Sequence, residues 1–166
     1  MFNQKKHIRM ARTSGTRKAG TSSVYRGTER LLGDLLAIAE RTPKKALGLQ
    51  ALSRRMVDEA LEALAETEYA LNEPDIDRRI AYIGMLVHSM TILKSAVRQM
   101  YAYSRTGFRS PTADGETAVV PRYGRVISHR QYLHLLDQFA RLGMEVGRWL
   151  KSSQAKRPAR TDRAEM

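Results

Sequence analysis

The chain has 166 residues, 28% of them charged, with 29 lysines and arginines against 17 acids and a net charge of +12. It has no cysteine, which excludes disulfides and thiolate metal sites and fits a reducing, cytoplasmic compartment. No apolar run approaches the ~20 residues of a membrane helix, and the length suits one domain with a single sizeable core.

The first 23 residues, MFNQKKHIRMARTSGTRKAGTSS, carry six basic side chains and no acid. They lack the apolar segment of a secretory signal. Arg, Ser and Thr without acids is also a presequence composition, but the simpler reading is a disordered basic arm. A first helix is expected over 24–41, with Leu31, Leu35 and Ile38 on one face. Thr42-Pro43 ends it, because proline disfavours the α conformation in the residue before it. A second helix is expected over 47–72, where Leu49, Leu52, Met56, Ala60, Ala63, Thr67 and Ala70 recur at steps of three and four. Asp58, Glu62 and Glu66 form an acidic row beside that face, read as solvated unless a basic surface of a neighbouring subunit meets it.

Pro74 breaks the chain again and Asp75 is placed to cap the next helix. That third helix is expected to reach about residue 103. Its seam is Ile76, Ile80, Ile83, Val87, Met90, Val97 and Tyr101, widened by Leu86, Leu93 and Met100. A parallel stripe, Gly84, His88, Thr91 and Ser95, is small and polar enough to let another subunit approach. The fourth helix starts at Ser128, where SHRQ has the S-x-x-Q form of a capping box. Tyr132, Leu135, Phe139, Leu142, Val146 and Trp149 then keep a heptad-like rhythm, and both Phe139 and Trp149 are expected in the core.

Four amphipathic helices with two short connections predict an all-α, antiparallel up-down four-helix bundle over 24–152. The third connection, 104–127, is a long loop with Arg105, Arg109, Arg122 and Arg125 near Phe108 and Tyr123. Cations beside aromatics suit phosphate contact with base stacking; a solvated insertion with a strand-like TAVV is the plainer alternative. Residues 153–166 complete the chain as a basic tail. Most of the excess charge therefore lies in the arm, the loop and the tail, and such a distribution draws a protein to polyanions.

Catalytic signatures are missing. There is no phosphate-binding glycine loop and no H-E-x-x-H. A di-iron bundle needs Glu-x-x-His, and no glutamate here has a histidine three residues later. His129 and His134 are five apart, a poor spacing for one helical face. No metal, cofactor or catalytic residue is expected, and an enzyme with a metal in the bundle is the competing class.

The segment EVGRWLKSSQ, with Gly147, Trp149, Lys151 and Ser152, resembles the ending of a family of small four-helix bundles. These are the accessory variability determinants of diversity-generating retroelements, together with relatives encoded in intervening sequences of bacterial 23S ribosomal RNA genes. RTPKKALG, residues 41–48, resembles the family's apolar-Pro-basic-basic break, with Thr42 in place of an apolar residue. The resemblance covers about residues 24–154; the long loop and the N-terminal arm depart from it. It implies a non-enzymatic, homopentameric protein that binds a reverse transcriptase and its template RNA and supports mutagenic cDNA synthesis. A ribosomal intervening-sequence protein without a polymerase partner, or a structural oligomer with solubilising tails, are the alternatives.

Basic residues fixed on helices hold a register on RNA better than flexible segments, whose ordering costs entropy. Lys44, Lys45, Arg148 and Lys151 are therefore placed first. Arg54, Arg55, Arg78 and Arg79 follow, because Arg55 and Arg79 stand four residues from Glu59 and Asp75, and then the four loop arginines.

Overall fold

The computed structural model of the protein describes residues 22–106, 109–111, 117–119 and 126–158, with 105–106 and the two short strands given by backbone alone. Helix α1 spans Ser23–Arg41; the Ser22 hydroxyl caps it by accepting from the Tyr25 amide. Val24, Thr28, Leu31, Leu32, Leu35 and Ile38 form its buried face. Thr42, held extended before Pro43, stops it. The Gln50 side chain then donates to the Thr42 carbonyl at 2.9 Å and ties the turn to the next helix.

Helix α2, Leu47–Asn72, buries Leu49, Ser53, Met56, Ala60, Ala63, Thr67 and Ala70. Leu52 is only half-buried, and Ser53 takes the position expected of it. The alanines leave room for a close neighbour, and α2 makes its broadest contact with α3, Ile76–Thr106. Asp75 caps α3 as expected, accepting from the Arg78 amide at 2.8 Å. The buried stripe of α3 runs Ile83, Leu86, Met90, Leu93, Val97, Met100. Val87, expected in the seam, is 42% exposed. It stands on the flank facing the fourth helix, across an open groove that Gly143 and Gly147 of that helix help to line.

Strands β1, Arg109–Pro111, and β2, Thr117–Val119, pair antiparallel with Ser110 opposite Ala118. The segment read as strand-like thus falls largely on β2. Val126 and Ile127 return to the core. Helix α4, His129–Ala155, runs three residues beyond the expected boundary at 152. Its capping box is complete: the Gln131 amide donates to the Ser128 hydroxyl, and the Ser128 amide donates to the Gln131 side chain, both at 3.1 Å. Ser128→Ala is expected to lose about 0.5–2 kcal/mol, the usual cost of removing a cap. A thermal melt against the parent checks this.

Cross-helix contacts fix the directions. Asp34 meets Gln138, Glu66 meets Ser89, and Tyr101 stacks on Tyr132 with ring centres 4.0 Å apart. Arg157, just past α4, pairs with Asp77 at the start of α3 at 2.6 Å. Each helix packs antiparallel on the next, and α4 closes against α1, completing an all-α up-down four-helix bundle.

With 19 residues, α1 is the shortest helix and begins at the level of Trp149. The tryptophan is partly buried, not fully buried as expected; among the described residues Ser22 to Val24 and Leu71 border the hollow beside it. One helix among the described residues, α3, is long and apolar enough to cross a membrane by length and composition, contrary to the expectation that no run approaches that length. In this bundle Ile83, Leu86, Leu93, Val97 and Met100 are taken up by the core.

Candidate nucleic-acid interface

Antiparallel packing divides the predicted cations between two ends. Lys44 and Lys45 are exposed in the α1–α2 turn, with Arg54 and Arg55 exposed on the following turns. Arg148 and Lys151 are exposed near the end of α4, at the opposite end with Arg78 and Arg79. At ~1.5 Å of rise per residue, Lys44 and Arg148 stand about 30 Å apart along the bundle. The four residues ranked first are therefore two separate pairs and not one patch.

Arg79 has a structural task. Its guanidinium donates to the Glu73 carbonyl, from Nε at 3.0 Å, and closes the C-terminus of α2 in place of the expected pairing with Asp75. Arg105 and Arg109 fall at the end of α3 and in β1, with side chains outside the described residues. Arg122 and Arg125 lie outside the described residues altogether, as does the arm up to residue 21.

The acidic row of α2 is not all solvated. Asp58 and Glu62 are exposed, but Glu66 is 6% exposed, wedged between α2 and α3. Ser89 Oγ donates to Glu66 Oε1 at 3.2 Å, and Oε2 is buried without a partner. Burial pushes its pKa above the ordinary 4.5, helped by Glu62 and Glu59 and opposed by the Ser89 hydrogen bond and His88. The folded carboxyl thus holds its proton more tightly than the unfolded one. Its contribution to stability is full below about 4.5 and is lost as pH rises through the raised value. Glu66→Gln, which keeps an acceptor for Ser89, is expected to melt above the parent at pH 7. The gap should close towards pH 4, as a pair of pH-dependent melting curves would show.

The histidines go separate ways. His129 Nδ1 lies 2.7 Å from the Tyr101 hydroxyl, and His134 Nε2 lies 2.7 Å from Gln138 Nε2 and 3.6 Å from Asp34. His88 is exposed on α3. Among the described residues no three His, Asp or Glu side chains cluster as a metal site.

Two surface concavities have no counterpart in the expectations drawn from the sequence. Between α1 and α4 lies a cleft of about 300 Å³ lined by Arg26, Arg30 and Arg141, with Gly27, Gln138 and Glu145. Gly27 permits the approach: a Cβ there would stand 3.1 Å from Leu142 Cδ1. The signal in the sequence is the i,i+4 pair Arg26 and Arg30, which has meaning only once α4 is known to face it. Between α3 and α4 lies a larger groove of about 610 Å³. Val87, Met90, Thr91 and Ser95 form one wall, Phe139, Gly143, Gly147 and Leu150 the other, and Lys94 and Arg98 also line it. Thr91 and Ser95 bring the small, polar stripe of α3 into this groove, while Gly84 and His88 are exposed above it.

Comparison with protein-family models, with curated proteins and with solved structures finds no match for this chain.

Proposed function

We propose that this protein is a non-enzymatic, RNA-binding accessory subunit of a reverse transcriptase, of the accessory variability determinant kind, supporting mutagenic cDNA synthesis and retrohoming. The observation that carries the reading is the set of exposed cations on rigid helix ends, Lys44 and Lys45 at one end and Arg148 and Lys151 at the other. A polyanion laid along the bundle would meet positive charge at both ends, and counterion release would supply the free energy. The residues of the resemblance fit that role. Trp149 packs against the core and anchors the last turns of α4. Lys151 and Ser152, just beyond it, face solvent.

The same reading includes a homo-oligomer, a pentamer by resemblance. The α3–α4 groove supports it, since Val87 and its small neighbours leave an apolar concavity beside an otherwise covered core. Co-expression with the reverse transcriptase and its template RNA tests the proposal. All three are expected to elute together, and light scattering of the purified protein at micromolar concentration should give a mass several times that of one chain. A monomer that retains neither RNA nor polymerase would reject it. A gene lying within a ribosomal RNA operon would favour the intervening-sequence alternative.

A further inference from the structure

We propose that the cleft between α1 and α4 is a seat for the phosphodiester backbone of single-stranded RNA, with Arg26, Arg30 and Arg141 as its phosphate ligands. This rests on the RNA-binding reading and adds a site none of whose three arginines the sequence singled out. The two helices bring three guanidinium-bearing side chains to one concavity of about 300 Å³. Arg26 and Arg30 are one turn apart on α1, and Arg141 comes from the facing helix. A guanidinium presents a planar fork of donors that matches phosphate oxygens, and a concave arrangement lets one phosphate meet more than one fork. Cations spread over a convex helix face offer no such convergence.

The groove continues past the cleft. Ser23 and Glu145 line both this cleft and an adjoining hollow, where Arg148 and the half-buried Trp149 stand. A cationic track beside an aromatic surface is the chemistry that holds single strands, phosphates on the arginines and a base against the ring. Arg26 is already engaged in an interaction of its own, which a phosphate would have to share or displace, and two carboxylates also oppose the assignment. Asp137 pairs with Arg141 at 2.9 Å, but both side chains are largely exposed, and such a pair yields readily to a phosphate. Glu145 lies in the cleft itself, so it should weaken RNA binding in the parent protein.

The test is the binding of a short labelled single-stranded RNA, followed by anisotropy across a salt series. Four proteins are compared: the parent, R26Q/R30Q/R141Q, E145Q and K44Q/K45Q. The triple variant is expected to bind on the order of tenfold more weakly near 100 mM salt. Its salt slope should fall by about two units, at ~0.7 per phosphate contact on a single strand. E145Q should bind several-fold more tightly, which a merely structural role for the cleft would not produce, and which keeps the test open if the triple variant folds poorly. A triple variant and an E145Q protein that both match the parent, while K44Q/K45Q is weakened, would overturn the cleft and leave the RNA-binding reading standing. A parent protein that binds no RNA would overturn that reading, and the cleft with it.

Discussion

Phe139→Ala is expected to lower stability by about 3–5 kcal/mol, the scale for removing a large aromatic side chain from a core. The ring is 4% exposed in the middle of α4, packed in the core. In a chain of this length each kcal/mol lowers Tm by about 2–4 °C, so the melt should fall by roughly 6–20 °C. Trp149→Ala should cost less, about 1–2 kcal/mol, because that side chain is only partly buried. Thermal or urea unfolding of the two variants side by side checks the order. Equal losses would mean that Trp149 is covered in solution by something beyond Ser22 to Val24 and Leu71, for which a second subunit would be the first candidate.

Changing Lys44, Lys45, Arg148 and Lys151 together to glutamine should produce the second large effect, on RNA binding. Four lost phosphate contacts would flatten the salt dependence by about three units, at ~0.7 per contact on a single strand. All four residues are exposed, so the melting temperature should stay within the small range usual for surface changes. The two pairs are about 30 Å apart along the helix axes. K44Q/K45Q and R148Q/K151Q should therefore add in free energy, since sites so far apart share no partners. Deleting residues 1–23 should weaken binding less. An arm deletion that abolishes binding, beside a four-site variant that binds normally, would reduce the bundle to a scaffold for its basic terminus.

Local chemistry makes the helices legible in the order of the residues alone. Pro43 and Pro74 end α1 and α2 through the conformational limits they impose on the residue before them. Asp75, and Ser128 with Gln131, start α3 and α4 through hydrogen bonds reaching no further than three residues. Such signals sit entirely within a few consecutive side chains. The bundle then follows from apolar stripes at helical spacing joined by two short turns.

The candidate site is legible in the sequence only as a set of cations. That Lys44 and Lys45 part company with Arg148 and Lys151 follows from the antiparallel course of the chain. That Arg26, Arg30 and Arg141 converge follows from α4 closing against α1, a contact between residues more than a hundred positions apart.

By itself, then, the sequence determined where the helices begin and where the first two end, which broad face of each is apolar, and that the excess charge is positive. Only the tertiary structure decided which flank of each face is covered. Val87 is left open because Gly143 and Gly147 of α4 have no side chains to cover it, whereas Glu66 is enclosed because α3 lies close against the alanines of α2. Trp149 stays partly exposed at the level where α1 begins, beside a hollow bordered by Ser22 to Val24. Helical periodicity specifies a residue's angle about its own axis, but burial depends on how near the neighbouring helix comes at that height, and that distance is set by side chains on another part of the chain.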